Sequence, residues 1–187
     1  MKLFNLGSGG TRKRLPWINM DLDPDAKPHI RDVLDKEENY VEHDMTIFPW
    51  PFEDNYFNGV LASHILEHFD CHMDVKILNE CKRILKPGGI IRISIPAAEM
   101  FRRKIIVGDD DWGGQEAEAK EKGKSFLEFA MFFCEHVQIL SYDSIWCFLK
   151  MTNFKNIREA RYRDSAIQQL TEMENRPWYS IFAEGTK

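Results

Sequence analysis

Lys2-Leu3-Phe4-Asn5-Leu6-Gly7-Ser8-Gly9-Gly10 is the stretch from which the fold can be read. Its apolar run over residues 2–6 fits a buried strand, and the glycines that follow form a loop able to bring backbone close to a ligand. Such a loop presents backbone N–H groups to an anionic group at the strand's carboxyl end, where open α/β sheets place their ligands. A second apolar run, Trp17-Ile18-Asn19-Met20-Asp21, ends in a carboxylate that can accept both hydroxyls of a ribose. A glycine-rich turn and a strand-end acid together point to a nucleoside. The glycines alone would carry little weight, because most loop glycines are only turns.

Working outward, the link from Gly7 to Asn19 is too short for an ordinary helical crossover, and Thr11 to Pro16 has room for one turn at most. Loop N–H groups, more than a helix dipole, would then face the ligand. Residues 25–39 are polar and interrupted by Pro28, with room for a short helix around Ile30 to Lys36. Tyr40 to His43 reads as a third strand delivering Asp44, and Phe57 to Ser63 as a fourth, after the turn-rich Pro49 to Asn55. From Ile65 to Leu85, apolar residues recur at helical spacing, which predicts one long amphipathic helix stopped by Lys86-Pro87-Gly88-Gly89. Ile90 to Ile95 is the next strand.

After Pro96 the rhythm changes. The segment of about 97–140 is longer than an ordinary connection and reads as a lid or substrate-side insertion within a single domain over 1–187. Ser141 can cap a helix from Tyr142 to about Met151, Asn153 can end it, and strands at Ile157 to Arg163 and Tyr179 to Glu184 fit an antiparallel edge. The pattern predicts an α/β fold, Rossmann-like and doubly wound, with a mostly parallel sheet of about seven strands and an antiparallel C-terminal hairpin.

Composition bounds the function. The 187 residues are 43% hydrophobic and 12% aromatic, with no 18-residue apolar run, so one globular domain with no membrane span is expected. The N-terminus lacks the pattern of a secretory signal, which gives a cytoplasmic location by default. Thirty acidic residues against 25 basic ones leave a net charge of -5, against the basic footprint of a nucleic-acid binder and in favour of a small-molecule partner. Arg12-Lys13-Arg14 and Arg102-Arg103-Lys104 run against that trend and read as solvated loop charge. The four cysteines form no CxxC pair and are read as reduced thiols; oligomeric state is open.

The order of pieces resembles class I S-adenosylmethionine-dependent methyltransferases, especially the small stand-alone ones. Asn5-Leu6-Gly7-Ser8-Gly9-Gly10 is similar to their first motif, Asn19-Met20-Asp21 to the ribose-binding acid and His43-Asp44-Met45 to the adenine-contacting acid. Pro51-Phe52-Glu53-Asp54-Asn55-Tyr56-Phe57, Leu66-Glu67-His68 and Arg83-Ile84-Leu85-Lys86-Pro87-Gly88-Gly89 resemble three further motifs of the family, in the family's order. Asn5 stands where an acid is more frequent, Thr11 where a third glycine is common, and Asn58 where aspartate is usual.

The resemblance implies S-adenosyl-L-methionine as cofactor and S-adenosyl-L-homocysteine as product, with a small or medium acceptor methylated at oxygen, nitrogen or carbon. It also implies roles. Asn5, Leu6, Gly7, Ser8 and Gly9 would lie along the methionine moiety, Asp21 would hold the ribose, Leu22 and Met45 would sandwich adenine, and Asp44 would accept from its amino group. Ser63 and His64 would face the transferable methyl.

His64 is the first candidate for a base or for orienting the acceptor, because imidazole titrates near working pH; His68 and His136 are the others. His64-Ile65-Leu66-Glu67-His68 is also formally the inverted zinc-protease signature, so a zinc hydrolase with Glu67 as base is the rival enzyme. A five-residue coincidence is common, and no metal ligand is assigned on this ground. A non-catalytic nucleoside-binding relative is the third reading. A nicotinamide dehydrogenase ranks lowest, since its acid lies about 20 residues past the glycines, and Asp21 follows Gly7 by only 14.

Overall fold

The computed structural model describes residues 1–8, 16–22, 39–99, 135–172, 174 and 180–187. Gly9, the Thr11 to Pro16 turn, apart from Pro16, the helix expected around Ile30 to Lys36 and most of the 97–140 insertion lie outside the described residues.

Seven strands form one sheet: β1 (Leu3–Leu6), β2 (Trp17–Asp21), β3 (Tyr40–Glu42), β4 (Phe57–Ser63), β5 (Leu85–Pro96), β6 (Lys155–Ala160) and β7 (Ser180–Thr186), in the order β3-β2-β1-β4-β5-β7-β6. The first five pair in parallel, and β7 runs antiparallel to both β5 and β6. The expected mixed Rossmann-like sheet is present, with β7 inserted between β5 and the edge strand β6.

Register assigns side chains to two unlike faces, because successive residues of a strand point oppositely. On one face Phe4, Leu6, Met20, Val60, Ala62, Ile91, Ile93 and Ile95 build the main core under α1 (Cys71–Ile84) and α2 (Tyr142–Met151). Each of these fully buried side chains except that of Ala62 contributes about 1.5–3 kcal/mol. The other face carries a smaller cluster of Leu3, Trp17, Leu61 and Leu170, together with buried polar groups. There Asn5 Nδ2 donates to Asn19 Oδ1 at 3.1 Å, joining β1 to β2. Arg92, wholly buried, donates to Glu174, to Glu184 Oε1 at 3.1 Å and to the carbonyls of Asp164 and Arg161.

One expectation needs correction. The span from Ile65 to Leu85 is not a single helix: Leu66–His68 forms a 3₁₀ turn, Phe69 is extended, and α1 begins only after Asp70. Asp70 accepts from the backbone N–H groups of His72 and Met73, both at 2.9 Å, an N-cap worth about 1 kcal/mol. Leu66 and Phe69 sit three apart and so mimic helical spacing, but the capping carboxylate restarts the helix. At its other end α1 stops at Ile84, one residue before the expected end, and the Lys86–Gly89 stretch expected to stop it lies inside β5, which begins at Leu85 and not at Ile90, with a register shift opposite Phe57 and Gly59. Ser141 caps α2 in a reciprocal box with Ser144. No helix among the described residues is long and apolar enough to cross a membrane.

Candidate active site

Five parallel strands place their carboxyl ends along one edge of the sheet, and β1 to β4 bring Gly7, Asp21, Asp44 and Ser63 there. Gly7 has φ +61, and a Cβ on it would stand 2.0 Å from Ile65 Cδ1 and 3.3 Å from Met45 Cε. Only glycine lets those two side chains close over the strand exit. Ser8 continues the turn, its N–H donating to the Met20 carbonyl at 3.2 Å. Its hydroxyl is buried and has no partner among the described residues.

The tips of β2 and β3 are fastened together. His43 donates its backbone N–H to the Asp21 carbonyl at 2.9 Å, and the Tyr40 hydroxyl donates to the carbonyls of Asp21 and Leu22. Asp21 Oδ1 accepts from the Leu22 N–H at 2.8 Å, while Leu22 itself is 55% exposed. Asp44 Oδ1 accepts from the Thr46 N–H at 2.8 Å and from its hydroxyl at 2.7 Å, and these bonds hold the Asp44 carboxyl below its ordinary range. Met45 is nearly buried, its carbonyl accepting from Trp50 Nε1 at 3.0 Å. Asn5 and Leu6 differ from their neighbours in the motif. Asn5 is turned to Asn19 inside the sheet, and Leu6 belongs to the core.

A second group lies past the end of β4. The Ser63 and Ser94 hydroxyls are 2.8 Å apart, and the His64 N–H donates to the Ser94 carbonyl. His64 turns the chain with φ +55, unusual for a residue with a side chain. Its Nδ1 donates to Glu67 Oε1 at 3.1 Å, and its Nε2 pairs with Ser180 Oγ at 3.0 Å. Residues 135–138 fold onto the 3₁₀ turn: the backbone N–H groups of Val137 and Gln138 donate to the Glu67 carbonyl, and Gln138 Nε2 donates to the Leu66 carbonyl and to Asp74. The His68 and His136 rings then meet edge to face, centroids 5.0 Å apart.

The three candidate histidines therefore share one region, but in two different settings. His64 is held between Glu67 and Ser180, whereas one ligand atom from each of Glu67, His68 and His136 falls within 4.8 Å of the others. The helical pairing of His64 with His68 that the zinc-protease signature requires is not formed, because His64 precedes the helix and the turn after it is 3₁₀. Sequence reasoning missed Gln138, Ser180 and Asp74. No motif marks them, and each acts across 64 to 116 residues of chain.

The comparisons agree with this architecture. Residues 6–93 match a family model described as a methyltransferase domain. Among solved structures, an S-adenosylmethionine-dependent methyltransferase from Archaeoglobus fulgidus is 15% identical with a TM-score of 0.60, covering 100% of this chain and 86% of that one. One from Mesorhizobium loti is 13% identical with a TM-score of 0.62, covering 100% and 90%. The Haloferax volcanii methyltransferase structure in complex with the Trm112 activator gives 16% identity and a TM-score of 0.59, covering 99% and 81%. No curated protein matches the chain significantly. Strand order and glycine exit thus agree with the fold of S-adenosylmethionine-dependent methyltransferases, and residues 6–93, just under half of the chain, carry the match to a methyltransferase domain.

Proposed function

We propose that the protein transfers the methyl group of S-adenosylmethionine to a small or medium acceptor. The cofactor supplies a methyl group already attached to a sulfonium leaving group, so alignment of the acceptor is the main task left to the protein. The observation that carries this reading is the Gly7 exit: a left-handed turn without a side chain, roofed by Ile65 and Met45 and followed by the buried, unpartnered Ser8 hydroxyl. That is a cradle for a ligand bearing its own polar groups.

In this reading Gly7 and Ser8 line the methionine end, Asp21 accepts from the ribose hydroxyls, and Met45 and Leu22 flank adenine. Asp44, kept ionised by Thr46, accepts from the adenine amino group. Ser63 and His64 stand at the methyl end. His64, clamped by Glu67 and Ser180, orients an acceptor better than it could swing as a mobile base.

Calorimetric titration of the full chain with S-adenosylhomocysteine tests the reading. Binding is expected, and Asp21→Ala should weaken it by about 10-fold or more, the loss of hydrogen bonds to a charged acceptor. Absence of binding, or equal binding by the variant, would overturn it.

A further inference from the structure

We propose that Glu67, His68 and His136 form a divalent-cation site beside the cofactor cradle, with coordination positions left for an oxygen of the acceptor. Three features support it. The donor set is one carboxylate and two imidazoles, with a ligand atom of each within 4.8 Å of the others; that chemistry suits zinc, manganese or ferrous iron. Glu67 is 2% exposed, and its Oε2 has no partner among the described residues, a costly arrangement for a buried carboxylate unless a cation meets it.

The surrounding groups also fix the ligands as an outer shell does. His64 Nδ1 holds Glu67 Oε1, and His68 Nδ1 donates to the Glu135 carbonyl at 3.3 Å, which leaves Nε2 as the lone-pair nitrogen of that ring. Val137 and Gln138 tie the His136 segment to the Glu67 backbone. These contacts would keep two distant stretches of chain in ligating positions.

His64, which stands at the methyl end in the methyltransferase reading, bonds Glu67 at 3.1 Å, so the ion would sit on the acceptor's side. Three protein ligands leave at least one position open. A hydroxyl entering there would release its proton to solvent more readily than in water. This part rests on the methyltransferase reading and narrows the acceptor to a hydroxyl compound. It differs from the zinc-hydrolase reading, in which His64 is a ligand and Glu67 a base.

The test uses the chelator-stripped full chain titrated with Co²⁺, followed by its visible d–d bands, and with Zn²⁺ by calorimetry. One ion per chain is expected. His68→Ala and His136→Ala should each weaken binding by about 10-fold or more, and His72→Ala, at an exposed position on α1, should not. Circular dichroism checks that each variant folds, and His136→Ala serves if His68→Ala does not. Acetohydroxamate should shift the Co²⁺ bands by entering the open position. No saturable binding, or binding unchanged in a folded histidine variant, would overturn the site; unchanged bands with acetohydroxamate would overturn the open position. Metal binding without S-adenosylhomocysteine binding would keep the site and sink the methyltransferase reading, and the reverse would do the opposite.

Discussion

His64 Nε2 lies 3.0 Å from Ser180 Oγ, so the end of β4 is tied to the start of β7 across 116 residues of sequence. The same histidine holds φ +55, a conformation that costs a residue with a Cβ about 1–2 kcal/mol. His64→Ala keeps that cost and loses both ring contacts, whereas His64→Gly loses the contacts and relieves the backbone. The glycine variant should therefore be the more stable of the two by about 1 kcal/mol. Urea denaturation of the pair measures this inversion of the usual order.

Gly7 and Ile65 make a matched pair. Gly7→Ala puts a Cβ 2.0 Å from Ile65 Cδ1 at a left-handed φ, so it should destabilise by about 2–4 kcal/mol and abolish S-adenosylhomocysteine binding. Adding Ile65→Ala removes the clash but not the backbone cost. A double-mutant cycle by thermal denaturation should show the two changes coupled by about 1 kcal/mol or more.

Arg83 gives the start of the Arg83-Ile84-Leu85-Lys86-Pro87-Gly88-Gly89 segment a structural purpose. It donates to both carboxylate oxygens of Glu80, to Asp54 Oδ1 at 2.7 Å, and to the carbonyls of Phe52 and Trp50. Glu80 accepts in turn from the Trp50 N–H at 2.7 Å, and Trp50 holds the Met45 carbonyl. Arg83→Lys cannot reproduce this planar fork. A loss of about 1–2 kcal/mol is expected in denaturant titration, with weaker S-adenosylhomocysteine binding through the released Met45.

Asp74 supplies the pH dependence. Burial pushes its carboxyl up to about 7 from 3.8, opposed by the bond from Gln138 and reinforced by the charges of Asp70 and Glu67. Between pH 3.8 and about 7 the folded protein then holds a proton that the unfolded chain has released, so this group's contribution to stability falls as pH rises through that window. Above it the contribution is flat. Asp74→Asn, which can still accept from Gln138, should remove this slope and stabilise the protein by about 1–3 kcal/mol at pH 8. Denaturation midpoints measured against pH in chelator-containing buffer check the sign.

The parallel half of the sheet was readable from sequence because its signals are local. β2 and β4 have the bounds that their apolar runs imply, and Gly7 stands at a strand exit where its missing Cβ is required. Periodicity failed at Phe69 and Asp70, since side-chain spacing cannot register a cap that interrupts the backbone ladder. For the site, sequence placed Asp21 and Asp44 at the tips of neighbouring strands and put three histidines in contention. Tertiary structure alone separated the histidines, enclosing His64 between Glu67 and Ser180 and bringing His136 to His68. The physical reason is range: a strand, a turn or a cap is dictated by residues a few positions apart, whereas a ring's partner is decided by which distant segment packs beside it.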